Sequence, residues 1–271
     1  LIQQGFSIQF PENVMEETAR IPSAITKDDL AVRRDMRETL TFTIDPEDAK
    51  DFDDALSFSR LDDGILELGV HIADVSHYIE TDSALDEEAF ERATSVYLPD
   101  RVVPMLPEKI SNGLCSLKPE VDRLCMVCDA VIDVHGEVQA YQFYPAVMHS
   151  AQRFTYNTVW EILSNSNGPE AARFKHLKKN LDRLYSLYKV LRAARDKRGA
   201  IDFETTETQI ISNALGKIER IEPRVRNEAH RIIEECMLSA NVCAADFLDK
   251  NGHSSLFRVH AEPSVEKLLT L

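Results

Sequence analysis

A ten-residue acidic segment constrains the fold of this chain more than any other feature. Residues 45–54, Asp45-Pro-Glu-Asp-Ala-Lys-Asp-Phe-Asp-Asp54, contain six carboxylates and one lysine. Acidic runs are usually solvated loops, but this one has a strand pattern on either side. Phe52 within the segment also favours burial, because an aromatic side chain gains free energy in a core. The sequence therefore predicts an anchored loop between two strands, at residues 40–44 and 55–59, whose carboxylates need a cation; a solvated turn is the alternative.

The residues of the acidic segment narrow the choice of cation. A calcium-binding EF-hand that began at the first aspartate would need Gly and Glu where the sequence has Lys50 and Leu56. Zinc prefers His and Cys, which the segment lacks. Oxygen ligands alone favour magnesium or manganese, and substrate phosphate oxygens commonly complete a magnesium site. The segment therefore predicts chemistry on a phosphate ester, and the backbone must bend for Asp54 to converge with Asp51 and Asp53.

The composition gives expectations about location. The chain has 271 residues and no apolar run near twenty residues, so no membrane span is predicted. The amino terminus lacks a basic region followed by an apolar core, and five cysteines, an odd number, are typical of a reducing compartment. Cys125-Met-Val-Cys128 has no second ligand pair at zinc-site spacing and is interpreted as core strand. We predict a cytoplasmic protein.

The net charge bears on the partner. A formal charge of −15 argues against nucleic-acid binding, which normally needs a basic surface. Six of the acidic residues, however, lie in the one segment where bound cations would neutralise part of their charge. A nucleic-acid partner therefore stays possible.

The remaining pattern predicts an α+β fold, with a mixed, largely antiparallel sheet packed with helices. Residues 1–37 are an arm with a short helix at 12–19, and a turn signal, Asp62-Asp-Gly64, follows the second strand. Residues 98–118 read as a loop. Further strands are predicted at 65–72, 124–134 and 138–148, and helices at 83–92 with Ser83 as N-cap, 155–162, 169–197, 227–249 and from 265 onwards.

Several motifs in order resemble the catalytic RNB domain of the ribonuclease II family. They are the acidic segment within residues 43–55, Val70-His-Ile-Ala-Asp-Val-Ser-His-Tyr78, Thr94-Ser-Val-Tyr-Leu-Pro99, Asn112-Gly-Leu-Cys-Ser-Leu-Lys-Pro119, Asp122-Arg-Leu-Cys-Met-Val127 and Glu234-Glu-Cys-Met-Leu-Ser-Ala-Asn241. The resemblance covers residues 38–271. It implies that residues 1–37 are a linker from cold-shock-type domains, and that an arginine-rich motif and an OB-type RNA-binding domain would lie beyond Leu271.

The resemblance also implies an activity. Members of the family hydrolyse single-stranded RNA processively from 3′ to 5′ and release nucleoside 5′-monophosphates, supported by Mg²⁺, for which Mn²⁺ is a possible substitute. Because part of the family domain is expected beyond Leu271, this chain alone is expected to be weakly active or inactive.

The family's catalytic aspartates correspond to Asp45, Asp51, Asp53 and Asp54. The resemblance implies that Asp45 and Asp54 bind the firmly held metal ion directly. Asp53 would serve a second ion or the attacking water, and Asp51 would orient or share a ligand. The other acids of the segment, Glu47 and Asp48, are then expected to be solvated.

Three residues correspond to RNA-binding positions of the family. Tyr97 and Phe203 would stack on RNA from opposite sides, and Glu234 would contact ribose, with Glu235 as the alternative by one position. From the sequence alone, either aromatic ring fits a core position better than a clamp.

Residues near the acidic segment in sequence have other expected roles. Asp74 is expected to hold structure by hydrogen bonding, while His71 and His77 are expected to be ordinary core or surface groups. Two other functions stay open: a non-catalytic RNA-binding scaffold, which would not need the aspartates, and a different metal-dependent phosphoesterase such as a DNA exonuclease.

Overall fold

A six-stranded sheet organises the molecule. The computed structural model of the chain describes residues 7–61, 65–98, 101–200, 208–213, 217–223, 226–259 and 262–270. The strands are β1 (Arg34–Asp35), β2 (Thr41–Asp45), β3 (Asp54–Arg60), β4 (Leu66–Ala73), β5 (Val96–Tyr97), β6 (Val102–Val103), β7 (Asp122–Ile132), β8 (Val138–Thr155), β9 (Thr208–Ser212) and β10 (Ile218–Pro223). Two short pairs, β5 with β6 and β9 with β10, stand apart from the main sheet. The predicted turn at residues 62–64 lies outside the described residues.

The main sheet closes on itself through β8. Its order is β1-β8-β2-β3-β4-β7, and β7 pairs in addition with β8. Residues 138–149 of β8 pair with β7 in antiparallel orientation. Residues 150–155 of β8 pair with β2 in parallel orientation. One long strand therefore completes a ring of five strands, which brings the end of β2 and the start of α4 to the same edge.

Helices cover the ring. They are α1 (Glu12–Arg20), α2 (Lys27–Ala31), α3 (Ala84–Arg92), α4 (Tyr156–Ser164), α5 (Pro169–Arg173), α6 (Lys175–Lys197), α7 (Glu228–Lys250) and α8 (Val265–Leu268). Ser83 caps α3 as predicted, since its side chain accepts a hydrogen bond from the Asp86 amide. The α+β fold class predicted from the sequence is confirmed.

Two apolar clusters hold the layers together. The helix-side core joins the sheet to α4–α7, with residues such as Phe42, Leu56 and Leu181. The arm-side core contains Phe52 and Cys125 together with residues of the arm and α3. All five cysteines are free and buried, so the interpretation of the 125–128 motif as core strand is confirmed.

The arm packs against the ring from residue 10 onward. Val14 of α1 is buried in the arm-side core, and β1 adds to the sheet in parallel with β8. The assignment of residues 1–37 as a linker stays a prediction. Among the described residues, no helix is long and apolar enough to span a bilayer.

Three elements differ from the sequence prediction. The predicted helix at 169–197 is two helices, because the chain turns at Phe174, whose buried ring packs 4.9 Å from the ring centroid of Phe154. The strand predicted at residues 138–148 continues to Thr155, because its last residues pair with β2. The predicted loop at 98–118 contains β6 and a short π-helix, Lys109–Leu114.

Candidate active site

The four predicted catalytic aspartates lie at one edge of the ring. Asp45 is the last residue of β2, a strand whose five positions are all buried, and Asp54 is the first residue of β3. Asp51 and Asp53 belong to the connection between them, which has no regular structure. This is the bent backbone that the spacing of the carboxylates required.

Hydrogen bonds from neighbouring segments fix the backbone of the connection. The Ser116 hydroxyl donates to the Lys50 carbonyl at 3.0 Å and accepts from the Phe52 amide at 3.1 Å. The Leu117 amide donates to the Phe52 carbonyl at 2.8 Å, and the Ala73 amide donates to the Asp53 carbonyl at 2.9 Å. Phe52 is buried in the arm-side core. The acidic segment is therefore an anchored loop, as the flanking strands predicted.

The junction of β8 and α4 supplies contacts that the sequence did not reveal. Arg153 donates to the carbonyls of Pro46 and Glu47, and Asn157 donates to the Glu47 carboxylate at 2.6 Å. Asn157 also accepts from Asn227, the N-cap of α7, at 3.2 Å. Glu47, expected to be only a solvated extra, is exposed but links the loop to two helices. These contacts arise from the ring closure, and no sequence pattern could have indicated them.

Burial and mutual repulsion perturb the aspartates. Burial, with the charges of Asp53 and Asp51, raises the pKa of Asp45 to about 6 against the opposing effects of the Thr43 side chain and Arg153. Burial, with the charges of Asp45 and Asp53, raises the pKa of Asp54 to about 7. Asp53 lies at the exposed rim, and its pKa is also raised by loss of water around it and by Asp51. The protein alone therefore leaves excess negative charge at this edge.

This donor set fits a hard divalent cation. Among the residues that the structure describes, the buried Oδ2 atom of Asp45 has no hydrogen-bond partner, so one carboxylate oxygen is unsatisfied there. Carboxylate oxygens are the ligands that Mg²⁺ and Mn²⁺ prefer. Within the described part of the chain, no group of three His, Cys, Asp or Glu side chains is already arranged as a metal site.

Tyr97 lies beside the acidic loop and is exposed. Its relative exposure is 66%, so the core position that sequence reasoning favoured is wrong. Its hydroxyl donates to Asp51 Oδ2 at 3.0 Å. Loss of solvent around the hydroxyl and this hydrogen bond raise the pKa of Tyr97. The aromatic side chain of Tyr97 is thus accessible next to Asp51, a predicted catalytic aspartate. Phe203, its predicted opposite partner, lies outside the described residues.

Glu234 lies on α7 between two arginines. Its carboxylate accepts from Arg195 at 2.9 Å and from Arg226 at 2.9 Å. Glu235, the alternative by one position, is buried and also accepts from Arg195, at 2.8 Å. Glu234 is the more accessible of the two, which favours it as the residue that could meet a ligand. Its predicted contact with ribose remains untested.

Helix α7 approaches the aspartates through a buried cysteine. Burial, together with the charge of Asp54, raises the pKa of the Cys236 thiol. Glu234 lies two positions earlier on the same helix, where it faces away from the direction of Cys236.

The histidines and Asp74 have the ordinary roles expected of them. His71 is fully buried, its Nε2 lies 2.8 Å from the Ser57 hydroxyl, and burial lowers its pKa to about 4. His77 lies 3.1 Å from an Asp29 carboxylate oxygen. Asp74 accepts from Arg33 at 2.6 Å and from the Ser76 hydroxyl at 3.0 Å. These contacts hold structure around the loop.

The fold, the motifs and a family model agree on the class of protein. The model described as the RNB domain matches residues 33–271. The chain belongs to the RNB domain family, and within it the chain is similar to bacterial ribonuclease R. It is 48% identical to ribonuclease R of Vibrio parahaemolyticus and 47% identical to ribonuclease R of Escherichia coli, over 96% of this chain in each case.

Solved structures extend the comparison. Mycoplasma genitalium RNase R in complex with ribose-methylated single-stranded RNA superposes with a TM-score of 0.90 at 32% identity, over 99% of this chain and 42% of that one. The same enzyme has been solved with double-stranded RNA, at the same TM-score of 0.90. The chain spans about a third of the length of the two curated relatives, 31% and 32%.

Proposed function

We propose that this chain provides the acidic part of a magnesium-dependent 3′-to-5′ exoribonuclease site, which hydrolyses single-stranded RNA to nucleoside 5′-monophosphates in the cytoplasm. The observation that carries the proposal is the anchored loop that holds Asp45, Asp51, Asp53 and Asp54 at one edge of the ring, where one buried oxygen of Asp45 lacks a partner among the described residues. Membership of the RNB domain family and the ribonuclease R relatives support this reading of the loop.

The aspartates have distinct proposed tasks. Asp45 and Asp54, at the ends of buried strands, hold the firmly bound Mg²⁺, for which Mn²⁺ can substitute. Asp53, at the exposed rim, serves a second ion or orients the attacking water, and Asp51 is held in place by Tyr97. When bound by these carboxylates, two metal ions would supply an activated water and would stabilise the leaving 3′-oxygen. The protein's own part is to fix four carboxylates where the scissile phosphate arrives.

RNA recognition is proposed for the groups that border the loop. The exposed Tyr97 ring offers a stacking surface for a base near the 3′ end, and stacking tolerates any base. Glu234 is proposed from the resemblance to accept from a ribose 2′-hydroxyl, a contact that would select RNA over DNA. Phe203 is proposed as the second stacking ring from the resemblance alone. Flanking cold-shock-type and OB-type domains remain a prediction.

One assay separates this proposal from the two alternatives. The chain, and a version in which it replaces the matching third of E. coli ribonuclease R, are incubated with 5′-labelled single-stranded RNA or DNA of the same sequence in Mg²⁺. We expect this longer, chimeric protein to shorten RNA stepwise from its 3′ end, and the chain alone to show little activity. Asp54→Asn in the chimeric protein should lower its activity by orders of magnitude.

The other outcomes identify the alternatives. RNA binding without cleavage by the longer protein indicates a scaffold. Equal degradation of DNA indicates another phosphoesterase. Near wild-type cleavage by Asp54→Asn contradicts the role assigned to that carboxylate, provided that RNA affinity and folding are unchanged.

A further inference from the structure

Arg153 bridges the two ends of the acidic loop. Its Nη2 donates to the carbonyl of Pro46 and, at 3.1 Å, to the carbonyl of Glu47, at the start of the loop. Its guanidinium carbon lies 5.4 Å from the centroid of the Phe52 ring, at the end of the loop. One side chain from β8 therefore contacts both arms of the bend.

The contacts of Arg153 favour a positioning role over charge neutralisation. In the described part of the chain, its hydrogen bonds go to backbone carbonyls and not to the aspartate carboxylates. The Nε atom is buried without a hydrogen-bond partner among those residues. A planar guanidinium with several donors suits this task, because it can bond carbonyls at its edge while its face stacks on a ring.

The place of Arg153 in the sheet gives the bridge a rigid base. Arg153 pairs with Thr43 in the parallel ladder between β8 and β2, two residues before Asp45. Every residue of β2 is buried, and Phe154, the residue after Arg153 in β8, is also buried. The backbone from which Arg153 extends is thus fixed relative to the strand that carries Asp45.

We propose that Arg153 is a positioning residue, which holds the acidic loop in the curvature that brings the four aspartates together and thereby supports their affinity for a divalent cation. The second part of the inference rests on the proposed function. The first part concerns the shape of the loop in the metal-free protein and stands without it.

Charge and positioning make opposite predictions for metal binding. Arg153 is a cation near a cation site, so removal of its charge alone would tighten the binding of a divalent ion. Loss of its hold on the loop would spread the carboxylates and weaken the binding of the same ion. The sign of the change in affinity therefore distinguishes the two effects.

The first experiment measures amide hydrogen exchange in the metal-free chain. Arg153→Gln removes the charge and the stacking, and Arg153→Lys keeps the charge without the planar group. We expect exchange of residues 47–53 to accelerate about tenfold or more in the Gln variant and less in the Lys variant. Arg173→Gln is the matched control, because the Arg173 guanidinium also lies over a phenylalanine ring, 4.8 Å from the Phe174 centroid, but its side chain is exposed at the end of α5.

The second experiment measures the affinity for Mn²⁺ by calorimetry on the same proteins. Positioning predicts the order wild type, Lys variant, Gln variant, with about tenfold weaker binding in the last and unchanged thermal midpoints. Unaltered exchange in the loop, or tighter Mn²⁺ binding by Arg153→Gln, overturns the inference. If the wild-type chain binds no Mn²⁺, the metal part of the proposed function fails, and the exchange data alone decide the role of Arg153.

Discussion

Asp45 and Asp54 stand at the ends of two adjacent strands, where burial raises the pKa of Asp45 to about 6 and the pKa of Asp54 to about 7. Both carboxylates would titrate near 3.8 in the unfolded chain. Their folded pKa values lie above the unfolded ones, so the contribution of each group to stability is complete below pH 3.8 and is lost as pH rises through the folded pKa. At neutral pH the metal-free fold therefore carries a cost at this site.

Substitution of Asp54 by Asn should remove part of that cost. We expect Asp54→Asn to raise the free energy of unfolding of the metal-free chain at pH 8 by roughly 2 to 4 kcal/mol. The difference should shrink as pH falls and vanish below pH 3.8, where the carboxyl becomes protonated in both states. Chemical denaturation across this pH range measures it, with Asp48→Asn, at an exposed position of the same loop, as control. Equal stability of variant and wild type at pH 8 would contradict the burial argument.

Tyr97 offers two separable groups, the ring and the hydroxyl. Tyr97→Phe keeps the stacking surface but frees Asp51, so it should lower the rate of each cleavage without changing the length of the final products. Tyr97→Ala removes the ring as well, with a loss on the order of 1–3 kcal/mol in the hold on short RNA, so longer end products should accumulate. Gel analysis of products from the longer protein measures both, and identical products from the Ala variant would exclude the stacking role.

At the scale of elements, sequence patterns predicted what local chemistry controls. The strands around the acidic loop and the capped helix α3 follow from alternation, from β-branched residues and from Ser83. The division at Phe174 and the extension of β8 to Thr155 depend on partners distant in the chain, so periodicity could not reveal them.

The residues of the candidate site also differ in whether the sequence could predict them. The four aspartates were predictable because they are contiguous and chemically distinctive. Arg153 and Ser116 were not, because each reaches the loop only after the sheet has closed. Glu47 is exposed as expected, but its contact with Asn157 of α4 could not be predicted for the same reason.

Gly69 of β4 shows how tightly neighbouring strands are packed. A Cβ atom at this position would lie 2.2 Å from the Ser57 hydroxyl and 3.1 Å from His71 Nε2. We expect Gly69→Ala to destabilise the fold by roughly 1–3 kcal/mol, because the hydroxyl must move and its contact with His71 is disturbed. Thermal denaturation measures this effect. In a Ser57→Ala background the same substitution should cost clearly less; an equal cost would place the strain elsewhere.

At the scale of the whole molecule, Lys109 is one of several groups that fasten the arm to the body. Lys109 Nζ donates to the carbonyls of Thr18, Ala19 and Ile21, at distances of 2.9, 3.2 and 2.6 Å. These oxygens lie at the carboxyl end of α1, where the backbone lacks partners and a positive charge is favourable.

Lys109→Met retains the aliphatic stem and removes this cap. We expect a loss of roughly 1–2 kcal/mol in stability and faster proteolytic cleavage within residues 20–33, because α1 is held less firmly. Limited proteolysis followed by mass spectrometry measures the release, with Lys179→Met on the exposed face of α6 as control. Unchanged cleavage in the arm would show that the arm-side core alone retains it.

The closure of the ring by β8 also sets an order of events during synthesis. The Thr41 hydroxyl of β2 donates to the carbonyl of His149 in β8, 108 positions away in the chain. Strands β3 and β4, by contrast, pair with each other and are consecutive in the sequence. Local hairpins form sooner than pairings between distant segments, because closing a long loop costs more entropy. A ribosome therefore releases all four aspartates well before the strand that carries Arg153. The growing polypeptide possesses every carboxylate of the site early and gains the shape that gathers them only when β8 docks.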